Sequence, residues 1–298
     1  MNKQTFHHRL LALHYVFPVP LNRLNPLLQM DPELSYFEQM STRELSRLLK
    51  LPAERANKLK ASYVKALETP FIQAYRKHGI TAFPYDHPCY PKQLSTLYDP
   101  PTILYAKGRH DYLLEDHHVA VIGARNATDY SQAAMQYILP PLVKHDIVIV
   151  SGLAKGADAM AHQFTHDLGG KTIGIIGHGH FHRYPKENLL LYDIMEKNHV
   201  TISEYPPYVT PQKWHFPMRN RLISGLSEAV VVTEAKEKSG TVSTLQHALD
   251  NGKDVFCVPG PITSQLSLGP NQSLLEGAKP VWNGFQILEE LRGKSLQS

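Results

Sequence analysis

At 298 residues with two cysteines, the chain is long enough for one sizeable α/β domain plus a smaller one, and too poor in cysteine for a disulfide framework or a zinc site. A formal net charge of +4 favours an anionic partner only weakly, so the placement of the cations says more than their number. His7, His8, Arg9 and His14 break the N-terminal apolar stretch, no small-residue cleavage site follows it, and no run approaches membrane-spanning length; the expectation is a cytoplasmic protein without signal peptide or membrane span.

Residues 1–68 read as a small helical bundle. Leu10, Leu11, Leu13 and Val16 form a helical stripe that Pro18 and Pro20 end, and Leu21–Met30 resumes it. Ser41-Thr42-Arg43-Glu44 has the form of a capping box ahead of Leu45, Leu48 and Leu49. Pro52 fits the first turn of a further helix carrying Ala56, Leu59, Tyr63, Val64 and Leu67. Such a bundle is SAM-like or a degenerate helix-hairpin-helix. A hairpin that contacts DNA wants glycine, and Leu49-Lys50-Leu51-Pro52 has none, so no DNA contact is assigned to it.

Thr69-Pro70 marks a boundary, and residues 70–292 read as the second domain. It opens with a Pro- and Tyr-rich stretch through Leu104-Tyr105, which suits irregular structure and edge strands packed on the side of a sheet. Strands are then predicted at His118–Ile122, Asp146–Val150, Thr172–Ile176, Thr201–Ser203, Ala229–Val232, Asp254–Val258 and, more weakly, Pro280–Trp282, with helices between them. That alternation defines an α/β fold with a doubly wound, mostly parallel sheet.

In such a sheet ligands bind outside the carboxyl ends of the strands. Those exits carry Arg125 after the first strand, Gly152 and Lys155 after the second, Tyr184 and Lys186 after the third, and Arg219, Arg221, Lys236 and Lys238 around Ala229–Val232. The Ser239-Gly240-Thr241 turn opens a helix, whose unpaired N–H groups and dipole favour an anion. Cations, glycines and helix starts at several exits together define a phosphate-binding face. Arg125, Lys155, Lys186, Arg219 and Arg221 would take the phosphates, helped by the amides of Gly152 and Gly240; Tyr184 and Phe216 are placed to stack on bases. Arg219 or Arg221 could instead brace the site by pairing with Glu204 or Glu234.

Other chemistries fit less well. Arg125 stands where a dinucleotide site needs its second glycine and Ser151 where it needs an acid, so no NAD, FAD or other cofactor is expected. Lys238-Ser-Gly-Thr241 resembles the glycine-threonine loop of the lysine-decarboxylase-like phosphoribohydrolases, which makes a nucleotide-binding enzyme the alternative reading. The glutamates of that loop are replaced by Ser243 and Thr244. His178, His180 and His182 sit at metal-ligand spacing, but no second cluster supports them; they are read as solvated loop histidines, and no metal is expected.

The chain resembles the DNA-processing protein family DprA, also called Smf, from about Tyr90 to Gly277. The resemblance rests on motifs in order: Asp99-Pro-Pro101 with Leu104-Tyr105, Val121-Ile-Gly-Ala-Arg125, Ser151-Gly-Leu-Ala-Lys-Gly-Ala-Asp158 with His162, Tyr184-Pro-Lys-Glu-Asn188, Ser203-Glu-Tyr-Pro-Pro207, Phe216 through Ser227, Ser239-Gly-Thr241, Val258-Pro-Gly260 and Gly269-Pro-Asn271. It implies an extended Rossmann-like domain that binds single-stranded DNA, forms a homodimer, protects incoming DNA and loads RecA during natural transformation, with no catalytic activity attached to that role. It also implies DNA contacts at Arg125 and Lys186, the positions matching the family's arginine and lysine. The family's Gly-x-Gly-Leu-Asp segment reads Gly177-His-Gly-His-Phe181 here. Many relatives end in a winged-helix domain, and none is expected in this sequence, which ends soon after Leu291. The N-terminal bundle resembles the small helical domain of some relatives.

Overall fold

A computed structural model describes residues 5–295. Thr5 caps the first helix, its hydroxyl accepting from the His8 N–H at 3.3 Å. Among the described residues five helices precede the sheet: α1 (Phe6–Val16), α2 (Leu21–Met30), α3 (Thr42–Leu49), α4 (Ala53–Ala66) and α5 (Phe71–Arg76). The capping box forms as the spacing predicts: the Glu44 N–H donates to Ser41 Oγ at 3.2 Å, and the Ser41 N–H donates back to Glu44 Oε2 at 2.8 Å. Lys50 turns the α3–α4 hairpin at φ 52°, the left-handed conformation that a glycine there would supply. Pro52 lies just before α4 rather than inside its first turn. Val64, expected on the inner stripe, is exposed because its neighbour Tyr63 takes the inward position and successive residues diverge by about 100°. The buried faces of these helices, among them Leu10, Leu13, Leu24, Phe37, Leu45 and Tyr63, share one apolar cluster with Ile80, Ile103 and Tyr105.

Those last three belong to the outer strands of the sheet, β1 (Ile80–Pro84) and β2 (Ile103–Gly108), with the one-turn α6 (Lys92–Ser95) between them. The Pro- and Tyr-rich stretch thus forms the edge of the sheet, as its composition predicts, with both strands antiparallel to their neighbours. Then follow β3 (His118–Ile122), α7 (Asp129–Lys144), β4 (Val148–Gly152), α8 (Ala157–Asp167), β5 (Thr172–Ile175), α9 (Leu189–Asn198), β6 (Val200–Ser203), α10 (His215–Leu226), β7 (Ala229–Val232), α11 (Gly240–Asp250), β8 (Asp254–Cys257), α12 (Leu268–Leu275), β9 (Lys279–Pro280) and α13 (Gly284–Ser295). Among the described residues nine strands lie in the order β1-β2-β6-β5-β4-β3-β7-β8-β9, parallel from β6 through β9. The seven expected strands all form, within two residues of their predicted bounds at each end. Helix α12 is an addition, with Pro270 in its first turn, where a missing N–H costs no helical bond.

The central strands are buried on both faces, which explains their continuous apolar runs. Ala120, Ile122, Val150, Val230 and Val232 pack with Leu222, Ile223 and Leu226 of α10 and Leu245 and Ala248 of α11. The alternate residues Val119, Val121, Ile149, Ala229 and Val231 pack with Met135, Ile138 and Leu142 of α7, Ala161 of α8 and Ile287 and Leu288 of α13. The chain leaves β3 towards β4, while β7 lies on the other side of β3. The order therefore reverses between β3 and β7, and a crevice opens above their carboxyl ends.

Candidate functional site

The loops after β3 and β7 line a cleft of about 400 Å³ at this reversal. Gly123, Ala124, Arg125 and Asn126 form one wall, Lys236 and Ser239-Gly240-Thr241 the other, and Phe216, Arg219 and Asn220 of α10 the third. Arg125 is exposed, and its guanidinium lies 5.8 Å from the centre of the Phe216 ring. Gly156, at φ 77°, lets the start of α8 press against the carbonyls of Ala124 and Arg125, where a Cβ would collide, so the backbone under Arg125 is held from below. Phe216 and Tyr184 continue the ridge with ring centres 5.4 Å apart. Across it a second cleft of about 100 Å³ is lined by Leu153, Ile176, Tyr184, Tyr192 and Phe216.

Helix α11 presents its first turn to the larger cleft. Ser239 caps it in an extended conformation without a side-chain hydrogen bond to the helix. Thr241 Oγ1 donates to the Gly123 carbonyl at 3.1 Å and so ties the two loops together. Asn220 Nδ2 donates to the Gly240 carbonyl at 3.1 Å. The N–H groups of this turn remain aligned with the helix dipole at the cleft wall, an arrangement that favours an anion.

Lys155 and Lys186 stand on the other side of Phe216. Both are exposed, but Lys155 donates to Glu187 Oε1 at 3.0 Å, an ion pair that the sequence does not announce. Asn188 holds the two loops in register by donating to the carbonyls of Leu153 and Ala154, both at 3.0 Å. Lys186 makes no ion pair among the described residues.

Three expected phosphate contacts lie elsewhere. Arg221 is only 7% exposed and donates from Nη2 to Glu204 Oε2 at 2.5 Å, which places it inside the protein rather than on the face. The alternative pairing with Glu204 is the arrangement found. Arg219 is 5% exposed at the floor between the two clefts and donates to the Ile175 carbonyl at 2.5 Å. Its electrostatic partner is Asp158, with burial pushing the Arg219 guanidinium below its usual range and the Asp158 carboxyl above its own. Glu234 is not its partner; that carboxylate accepts from the Thr128 N–H and hydroxyl at 2.7 and 2.8 Å. Gly152 is the buried last residue of β4, paired with Ile175, and a Cβ there would collide with Arg219 Nη1 and Asp158 Oδ2. Its small size makes room for that buried pair rather than offering an amide to a ligand.

The histidine loop is likewise corrected. His178 and His180 are buried, not solvated, and hydrogen-bond to Tyr192 at 3.1 Å and to the Thr201 carbonyl at 3.2 Å. Burial pushes their pKa values down to about 4 and about 3. Among the described residues no three His, Cys, Asp or Glu side chains form a metal-binding group, and no helix is long and apolar enough to cross a membrane. Asn126 and Asn220 also line the cleft, and sequence reasoning misses them because an asparagine beside an arginine carries no signal of its own.

The reversed strand order and the basic cleft above it define an extended Rossmann-like α/β protein with an anion-receptive face at its switch point. The model of the family described as DNA recombination-mediator protein A matches residues 81–292, and the chain belongs to that family. It is 44% identical over 226 residues to the DNA processing protein DprA of Bacillus subtilis (strain 168), covering 76% of each chain. It is also 44% identical over 202 residues to the DNA processing protein DprA of Streptococcus pneumoniae, covering 68% of this chain and 71% of that one. The X-ray structure of the Streptococcus pneumoniae protein superposes with a TM-score of 0.70 at 35% identity, over 86% of this chain and 93% of that one. DNA processing protein A from Helicobacter pylori, described for its unique single-stranded DNA binding mode, superposes with a TM-score of 0.65 at 30% identity, over 72% of this chain and 96% of that one.

Proposed function

We propose that this protein binds single-stranded DNA along the ridge formed by Arg125, Phe216, Tyr184 and Lys186, and that it acts as a recombination mediator which protects incoming strands and loads RecA during natural transformation. The observation that carries the reading is the position of exposed Arg125 over Phe216, beside Tyr184 and above the open first turn of α11. Phosphates would meet Arg125, Lys186, Lys155 and the Ser239-Gly240-Thr241 turn, with bases against the two rings. Single strands suit this ridge because their bases are available for stacking and those of a duplex are not. The Helicobacter pylori relative, with its single-stranded DNA binding mode, supports the same assignment. The proposal includes a cytoplasmic homodimer, in which a second ridge would lengthen the track and add avidity. It also treats residues 1–68 as a helical domain appended to a DNA-binding domain spanning 70–292.

The test is a salt titration of single- and double-strand binding by the wild type and by Arg125→Glu with Lys186→Glu. Wild type should prefer single strands, with affinity falling steeply as salt rises because counterions are released. The double variant should lose both affinity and salt dependence. A flat salt response or equal affinity for duplex overturns the reading; turnover of nucleoside monophosphates would replace it with a nucleotide hydrolase.

A further inference from the structure

The Gly177–Phe181 segment leads from β5 into the DNA ridge, and its backbone is tied to the chain that follows β6. Its backbone is laced to Pro207 and Val209: the Gly179 N–H donates to the Val209 carbonyl at 2.8 Å and the Phe181 N–H to the Pro207 carbonyl at 2.9 Å. Gly179 fits only because it lacks a Cβ, which would collide with the carbonyls of Pro206 and Pro207. His182 Nε2 reaches the Tyr208 carbonyl at 2.9 Å. From inside, buried His178 and His180 fix the same loop to Tyr192 and Thr201.

The outer side of this laced pair meets the N-terminal helices. The Tyr208 hydroxyl donates to the Tyr15 carbonyl at 2.5 Å, and the two rings lie 4.7 Å apart. Phe181 meets His78, in the turn between α5 and β1, edge-on at 4.9 Å. Beyond Phe181, Arg183 pairs with Asp193 and Glu196 of α9, both at 2.7 Å, and Tyr192 donates to the Tyr184 carbonyl at 2.9 Å. Only four residues separate Phe181 from Lys186. Helix α9 holds one flank of this short segment, and α1 with the turn after α5 holds the other.

We propose that Tyr208 and Phe181 are positioning residues that fasten the Tyr184–Lys186 segment to the N-terminal side of the molecule, Tyr208 to α1 and Phe181 to the turn that follows α5, so that the helical unit sets the geometry of the DNA ridge. The proposal rests on the single-strand reading. It assigns the helical unit a role in DNA binding without any contact of its own with DNA. Phe181 and Tyr208 are 49% and 41% exposed, so truncating them removes an anchor without opening the core.

Binding of a labelled oligo(dT) strand, measured by anisotropy across a salt series, tests this. Phe181→Ala with Tyr208→Ala should weaken binding about fivefold in the wild-type background and leave it unchanged in Lys186→Ala, because the two changes act through one contact. The salt slope should fall by about 0.7, the value of one phosphate contact on a single strand. Tyr208→Phe keeps the ring and removes only the hydroxyl; it should show the same coupling with about a twofold effect, and it carries the test should the double alanine variant unfold. Unchanged binding, or equal losses in both backgrounds, overturns the proposal. A wild type that ignores the strand overturns the single-strand reading itself, which is a separate and recognisable outcome.

Discussion

Arg125 lays its guanidinium 5.8 Å from the centre of the Phe216 ring, and that ring lines both the 400 Å³ cleft and the 100 Å³ one. Phe216 therefore does two jobs on the ridge: it steadies a cation and offers a face for a base. The two jobs leave different signatures. Removing a stacking partner costs about 1–3 kcal/mol per base without changing the number of phosphates neutralised. Phe216→Ala should weaken single-strand binding by about that amount with an unaltered salt slope, whereas Arg125→Ala should lower both affinity and slope. Anisotropy titrations at several salt concentrations separate the two; a slope that drops equally in both variants would show that Phe216 acts only by orienting Arg125.

The inward arginines of α10 predict a stability effect where a surface arginine predicts none. Arg221 and Glu204 form a buried pair 2.5 Å apart, with further guanidinium nitrogens lacking a protein partner among the described residues. Removing one member strands the other charge in the interior, at a cost of about 3–5 kcal/mol, while removing both can be close to neutral. Arg221→Met and Glu204→Gln should each lower the denaturation midpoint strongly, and Arg221→Met with Glu204→Met should recover much of the loss. Arg125→Ala should unfold like the wild type. Urea unfolding of the four variants decides this, and a stable Arg221→Met protein that fails only in DNA binding would return Arg221 to the interface.

Much of this fold is legible in the sequence because its information is local. Ala229–Val232 is apolar at every position since both faces of β7 are covered, and the Ser41–Glu44 spacing closes its capping box within one turn. The cleft is legible for the same reason, because each strand delivers its own loop to one edge. The partners of buried charges are not. Asp158, opposite Arg219, lies on a helix sixty-one residues earlier in the chain, and nothing in the spacing of α10 says that its arginines turn inward. A basic, amphipathic stretch normally sends its charges to water; here Ile175 and Asp158 enclose Arg219, and Glu204 takes Arg221. The histidines of the Gly177 loop mislead on the same assumption, since polarity alone does not show that Tyr192 and the Thr201 carbonyl wait inside to receive them.

Lys155 and Glu187 lead to a gain-of-binding prediction. The pair is half exposed, with Lys155 donating to Glu187 Oε1 at 3.0 Å, and Lys155 holds the Glu187 carboxyl below its usual range. A phosphate that reaches Lys155 has to displace this carboxylate and tolerate its charge. Glu187→Gln removes the competitor and leaves the side-chain shape. Exposed pairs of this kind are weak, so the expected gain in single-strand affinity is about threefold at low salt, vanishing at high salt. Weaker binding by Glu187→Gln would mean that Glu187 orders Lys155 for its ligand rather than competing with it.

Buried histidines make the fold sensitive to acid. Burial pushes the pKa values of His14, His162 and His180 down to about 3, and those of His178 and His199 down to about 4. In the unfolded chain each takes up its proton near pH 6.5. Between about pH 6.5 and these depressed values the unfolded state binds more protons than the folded one, so stability rises with pH across that window. The contribution is fully present above about pH 6.5 and is lost as pH falls towards 4 and then 3. Each histidine adds a slope of about 1.4 kcal/mol per pH unit within the window. His14, whose ring nitrogen lies 3.0 Å from the Tyr105 hydroxyl, offers the cleanest variant. His14→Gln keeps a polar partner for Tyr105 and removes the titration, so it should destabilise the protein at pH 7 yet flatten the fall in stability between pH 6 and pH 5 by about that one slope. Chemical denaturation at a series of pH values measures it. An acid dependence as steep as the wild type's would show that His14 already carries its proton in the folded protein.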